Sequence, residues 1–429
     1  MPDGNGSSFT TRINGLDIYI KTYTAVAREL RAVVPGVAFG PSNMAGISGG
    51  GTGAGGAGEN CTACVYLNEF ADRIRAAGAP LDFIAASEYS KWDRNGFAPV
   101  APMQDNPVYL AGVAARSGNA AAPVEVHEWG WAGWGHWTKS LGDASWPSGA
   151  FGAAWDLGSY LYQRRGGCSK VLHWGYELDT SLNRGVRGRG GNASATCMPG
   201  TTWCSPADLR HGCVPTCRSE GYPIVTGHGW LLTALLRITG TREGSATLAE
   251  FVVDLAVPKR GATARSPYNH TVGAVKSFDR SRTRLSFLVV HFSPDPVERV
   301  VRTVRLELSY IDLKDLGVEG ECEGMTITQQ PHNRTTSVPD MIEADLVDHN
   351  QKVAAEAHAV DTIGKMATVE GLARLVSEAE TWMELNRRSL QPAPFEGRLV
   401  PTGSGGGCVL EFDMETPSLQ LLELSGRGR

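Results

Sequence analysis

Val124-Glu125-Val126-His127-Glu128-Trp129-Gly130-Trp131 alternates apolar and polar residues, stops on a carboxylate and opens into a loop rich in glycine and tryptophan. Alternation of period two marks a strand with two different faces. A helical stretch from about Asn106 to Arg116 precedes it, and the same helix-then-strand unit recurs along the chain. Tyr19, Tyr23, Val26, Leu30 and Val33 share a helical face before the apolar run from Val34 to Gly40. Leu67, Phe70, Ile74 and Ala77 form a second stripe before Leu81 to Ala86. Phe151 to Gln163 precedes Lys170 to Trp174, and a helix from Gly229 to Thr239 closes the series. Four strands separated by helices predict βαβ units and a parallel sheet.

Past residue 245 the pattern changes. Val304, Leu306 and Leu308 alternate with Thr303, Arg305 and Glu307, and Leu410, Phe412 and Met414 alternate with Glu411 and Asp413. Together with the apolar run from Phe287 to Phe292, this predicts a β-sandwich. Helical segments at about 351–364 and 369–388 interrupt it. We therefore place an α/β domain over residues 1–240 and an all-β sandwich over 241–429, with a helical insertion near 350–390.

Composition narrows the function. The 429 residues are 42% hydrophobic and 20% charged, which is globular rather than disordered. A net charge of −5 without a long basic block argues against a nucleic-acid partner. No apolar run approaches the roughly 18 residues of a spanning helix, so no membrane span is expected. Cys197, Cys204, Cys213 and Cys217 crowd one stretch and read as a disulfide-stapled loop, with a zinc site using His211 as the alternative. Cys322 and Cys408 could pair. Asn-x-Ser/Thr sequons stand at Asn5, Asn60, Asn192, Asn269 and Asn333. With nine cysteines they favour a secretory route.

In parallel sheets, ligands collect beyond the carboxyl ends of the strands. Those ends read Pro41-Ser42-Asn43, Ser87-Glu88-Tyr89, Glu128-Trp129-Gly130 and Trp174-Gly175-Tyr176-Glu177. Five of the eleven tryptophans (Trp129, Trp131, Trp134, Trp137 and Trp146) fall within 18 residues of each other. They either pack loops over the sheet or offer flat faces to sugar rings. A carboxylate beside them favours sugar chemistry, because glycoside cleavage needs two carboxyl groups flanking the bond. The run Gly51-x-Gly53-x-x-Gly56 matches a dinucleotide fingerprint in form only, since about ten residues separate it from the strand it should follow. Cys61-x-x-Cys64 resembles a redox pair in spacing alone. Neither a metal nor an organic cofactor is expected.

The residues resemble glycoside hydrolase family 39, which holds β-xylosidases and α-L-iduronidases. The stretch from Tyr19 to Ser42 looks like that family's fourth helix and fifth strand, Asp82-Phe83-Ile84 with Tyr89 like its sixth strand, and Val126-His127-Glu128-Trp129 like its seventh. Ser87 stands where the family pattern has histidine. Val347-Asp348-His349-Asn350 and the two closing strands, Glu411 to Met414 and Ser418 to Leu424, resemble the family's sandwich. The resemblance implies part of a TIM-type (β/α)8 barrel, about strands five to eight, followed by the sandwich. It implies Glu128 as nucleophile, Tyr89 as the residue that orients it, and Trp129 and Trp174 as sugar-stacking aromatics. Trp131, Glu88 and His173 complete the candidate sugar-binding set. Pro2-Asp3, 17 residues before Tyr19, looks like the end of the family's acid/base motif, so that glutamate is expected upstream of Met1 and the chain alone is expected to be inactive. The implied function is a retaining glycosidase acting on a β-xyloside or a uronic-acid-containing glycan, in a secreted or lysosome-like setting. A noncatalytic carbohydrate-binding relative is the alternative.

Overall fold

The computed structural model describes residues 9–41, 44–45, 62–89, 97–130, 149–173, 225, 227–239, 248–255, 267–279, 283–318, 322–338, 340–341, 344, 378–402 and 407–426. They divide into two compact units, the first holding the described residues up to 89 with 100–130 and 162–173, the second holding 97–99, 149–161 and those from 225 onward.

In the first unit, helices α1 (Phe9–Val33), α2 (Thr62–Ala76) and α3 (Asp105–Arg116) alternate with strands β1 (Met44–Ala45), β2 (Ile84–Tyr89), β3 (Val124–Gly130) and β4 (Cys168–His173). The strands form one parallel sheet in the order β1-β2-β3-β4, as the helix-strand repeat predicts. Leu67, Phe70 and Ile74, at helical spacing on α2, are wholly buried against Leu16, Ile20 and Tyr23 of α1, Leu110 and Val113 of α3, and Ile84, Ala86 and Val124 of the sheet. The side of β2 that carries Ile84 and Ala86 is therefore its helix side.

The run from Val34 to Gly40 is not a strand; the first described strand is β1, further along. The reason is local. The Asp82 carboxylate accepts the Phe39 N–H at 2.7 Å and is paired with Arg31, while the Asp82 N–H donates to the Phe39 carbonyl at 2.7 Å. A side chain thus takes the backbone donor that a neighbouring strand would have used. For the same reason β2 begins at Ile84 rather than Leu81.

In the second unit, a six-stranded antiparallel sheet faces a three-stranded one. The larger comprises β5 (Leu248–Leu255), β6 (His270–Phe278), β7 (Arg284–Phe292), β9 (Met325–Asn333), β10 (Ala393–Pro394) and β13 (Ser418–Gly426), in the order β10-β9-β13-β7-β6-β5. The smaller runs β11-β12-β8, with β8 at Val301–Leu308, β11 at Arg398–Thr402 and β12 at Gly407–Glu415. Phe287, Val289, Leu422 and Leu424 from one sheet meet Val304, Leu308, Leu410, Phe412 and Met414 from the other, which is the predicted sandwich. Cys322 and Cys408 are joined in a disulfide.

The other face of the larger sheet takes helices. The first three turns of α4 (Ala150–Arg165) bring Phe151 onto Phe292 with ring centroids 5.1 Å apart and Tyr160 onto Glu250 at 2.7 Å. Helix α5 (Gly227–Thr239) stacks Trp230 on His332 of β9 at 4.9 Å, and the Ser277 hydroxyl donates to its Ile238 carbonyl at 2.8 Å. At its start, Gly227 lies so close to the Gly149 carbonyl that a β-carbon would sit 2.2 Å from the oxygen. The helix expected to close the α/β series thus packs on the sandwich sheet. Of the expected helical insertion, the described part is α7 (Ala379–Ser389), which follows the short α6 (Tyr310–Asp315); residues 351–364 lie outside the described residues.

Candidate active site at the carboxyl ends of β2 and β3

The ladder between β2 and β3 runs Ile84 to Val124, Ala85 to Glu125 and Ala86 to Val126, then skips His127 and resumes with Ser87 to Glu128, Glu88 to Trp129 and Tyr89 to Gly130. The β3–β4 ladder breaks at the same place, between Val126 and Trp129. His127 is therefore the extra residue of a β-bulge. Bulges re-aim side chains and gather next to functional sites. In a regular strand Glu128 would alternate with His127 and point to the helix side. The bulge keeps both on the sheet's other side, together with Glu125.

Hydrogen bonds agree with that placement. The Ser87 hydroxyl donates to Glu128 Oε2 at 3.1 Å, across the two strand ends. His127 Nε2 lies 2.5 Å from Glu125 Oε2, Lys170 Nζ lies 4.0 Å from the same oxygen, and the Phe83 ring sits 5.2 Å from the imidazole. One face of the sheet thus carries Phe83, Ser87, Glu125, His127, Glu128 and Lys170, a polar surface where the helix side is dry. Glu128 is half-buried, open enough to meet a ligand yet held by a neutral hydroxyl.

The sequence-predicted residues separate on this frame. Glu88 alternates with Ser87 onto the helix side, where it is 4% exposed and accepts from Asn106 Nδ2 and from Gln163 Nε2. Trp129 pairs with Glu88 and is likewise 4% exposed, so neither presents a sugar-facing surface. Tyr89 pairs with Gly130, two positions along β2 from Ser87, and His173 pairs with Trp129. Trp131 and Trp174 lie outside the described residues, as do the glycine run at 51–56, Cys61, the cysteine-rich loop at 197–217 and the sequons at Asn5, Asn60 and Asn192. Cys64 is disulfide-bonded. Ser87 was visible in the sequence only as a departure from histidine; nothing there signalled that it would hold Glu128. Among the described residues, no group of three or more His, Cys, Asp and Glu is placed to hold a metal ion, and no helix is long and apolar enough to cross a membrane.

No family model and no curated protein matches the chain. Solved structures do resemble it. A GH39 enzyme from Xanthomonas axonopodis pv. citri is 13% identical with a TM-score of 0.49, over 95% of this chain and 64% of that one. A GH39 β-xylosidase from Caulobacter crescentus is 12% identical with a TM-score of 0.45, over 95% of this chain and 61% of that one. A bacterial orthologue of human α-L-iduronidase is 12% identical with a TM-score of 0.44, over the whole of this chain and 69% of that one. The chain spans less than two thirds of the length of the first two.

Proposed function

We propose that the chain carries the nucleophile of a retaining O-glycosidase and that the nucleophile is Glu128. The observation behind this reading is the bulge at His127, which turns a carboxylate at a strand end onto the polar face and hands it to the Ser87 hydroxyl. A carboxylate that is half-buried and oriented can attack an anomeric carbon, forming a glycosyl ester while the leaving oxygen takes a proton from a second carboxyl group. Ser87 holds one oxygen so that the other faces the sugar. Tyr89 supplies a further hydrogen bond to the carboxylate, and Trp131 and Trp174 line the sugar. Glu88 and Trp129 act behind the site, anchoring the strand ends from the helix side.

The parallel sheet is read as about strands five to eight of a TIM-type barrel. The substrate class is a β-xyloside or a glycan containing uronic acid. Three disulfide-bonded cysteines, Cys64, Cys322 and Cys408, favour an oxidising compartment, secreted or lysosome-like.

Turnover of an activated aryl β-xyloside tests the reading. Glu128→Gln should lower kcat/KM on the order of 10⁴-fold, the scale seen when one member of a catalytic unit is removed. Unchanged turnover in that variant would reject it.

A further inference from the structure

Two sequons fall within the described residues, and the fold treats them differently. Asn333, in Asn333-Arg334-Thr335, is partly buried, and its side-chain oxygen accepts from Thr335 N at 2.9 Å, Thr335 Oγ1 at 2.8 Å and Thr336 N at 3.1 Å. It closes the turn that follows β9. Asn269, in Asn269-His270-Thr271, is exposed on the last loop residue before β6.

Both neighbours of Asn269 are pinned. The Tyr268 ring packs on Phe97 with centroids 6.4 Å apart, and His270, with no exposure, places Nε2 2.7 Å from Glu298 Oε2. Asn269 therefore stands on a fixed base with its side chain in solvent. Its place in the sheet also suits a bulky polar group. His270 pairs with Leu255 of β5, the edge strand of this sheet among the described residues, where Phe251 and Val253 are 50% and 53% exposed. An open edge with apolar side chains invites pairing with another chain, and natural proteins cover such edges.

We propose that Asn269 carries an N-linked glycan. In the transfer, Asn269 Nδ2 attacks the anomeric carbon of a lipid-diphosphate-linked oligosaccharide. The new C–N bond replaces the C–O bond to the diphosphate, the lipid diphosphate leaves, and the amide gives up one proton. Thr271, whose hydroxyl belongs to the acceptor motif, is 1% exposed in the finished sheet, so the glycan is added before β6 is laid down.

The inference rests on the oxidising-compartment reading, not on glycoside turnover, and the test keeps them apart. The full chain is led into the secretory pathway of a glycosylating cell and recovered. It is treated with peptide N-glycosidase in heavy-oxygen water and mapped by mass spectrometry, without reduction, for Cys322–Cys408. A labelled Asp at position 269 in a chain with that disulfide closed is the expected result, and Asn269→Gln should lose one glycan's worth of mass. An unmodified Asn269 in a chain whose disulfide is closed overturns the site alone. Free thiols at Cys322 and Cys408 overturn the compartment reading and the site with it.

Discussion

The β2–β3 ladder and the β8–β12 ladder are built to different ends. Cys408 to Glu415 pairs with Leu308 to Val301 in eight consecutive steps without a break, and every second side chain enters the sandwich core. The β2–β3 ladder has six pairs and one interruption, and the interruption is where the carboxylate turns. Regular pairing buries an apolar stripe efficiently because a period of two keeps one face dry. The broken ladder gives up that regularity, and with it His127 and Glu128 come to share a face.

The comparison can be broken by deletion. Removing Leu410 from β12 sends Glu411 and Asp413 toward the core and turns every later side chain over. We expect loss of cooperative unfolding in that unit, a cost comparable to a domain's whole stability, on the order of 5–15 kcal/mol. Removing His127 should do the opposite. Val126 and Glu128 would then pair with Ala86 and Ser87 as a regular strand, Glu128 would keep its face, and turnover should fall by no more than about tenfold. Far-UV circular dichroism and thermal unfolding, run beside aryl β-xyloside turnover, read both deletions. A deletion of Leu410 that is tolerated would remove the contrast.

Acid should find the sandwich unit's weak points. His291, on β7, donates from Nδ1 to the Met414 carbonyl at 2.9 Å and is held by burial at about 4. His332 is held by burial at about 3, with the nearby His228 adding to the effect. Both imidazoles are thus neutral in the fold, whereas in the unfolded chain they take up protons near the ordinary 6.5. The unfolded state binds more protons over that window, so stability is highest above pH 6.5 and falls as pH drops towards 4. Each histidine can account for about 3 kcal/mol of the loss. Denaturant melts from pH 7 to pH 4 should show the slope, and His291→Gln should flatten it. A stability that rises on acidification would contradict the assignment.

The smallest effect sharpens the site. Ser87→Ala removes one hydrogen bond to a half-buried carboxylate. It should cost about tenfold in kcat, near 1.4 kcal/mol, with KM nearly unchanged. A change confined to KM would place Ser87 on the sugar rather than on Glu128.

Much of this architecture was legible in the residues. The stripe Leu67, Phe70, Ile74 located α2 and its core face, and the alternation at Val304 and Leu410 located the sandwich strands, because hydrophobic periodicity is a local signal. What could not be read depended on partners distant in sequence. Asp82 reaches back 43 residues to Phe39 and turns an apolar run into a loop. The bulge at His127 shows only when β3 is set against both neighbours, and it decides that Glu128 takes the polar face and Trp129 the helix side. Alternation alone would have put Glu88 and Glu128 on one side of the sheet. The structure puts Glu88 among Asn106 and Gln163, two amides whose proximity no spacing rule reveals.

The most direct test of the central claim is to trap the nucleophile. The chain is incubated with a 2-deoxy-2-fluoro-β-xyloside bearing a good leaving group, which slows breakdown of the glycosyl ester, and the peptides are sequenced by mass spectrometry. One fluoroxylosyl group on Glu128, absent from Glu128→Gln, is the predicted result. Labelling of any other carboxylate, or a chain that turns over the glycoside with Glu128 unmodified, would contradict the account.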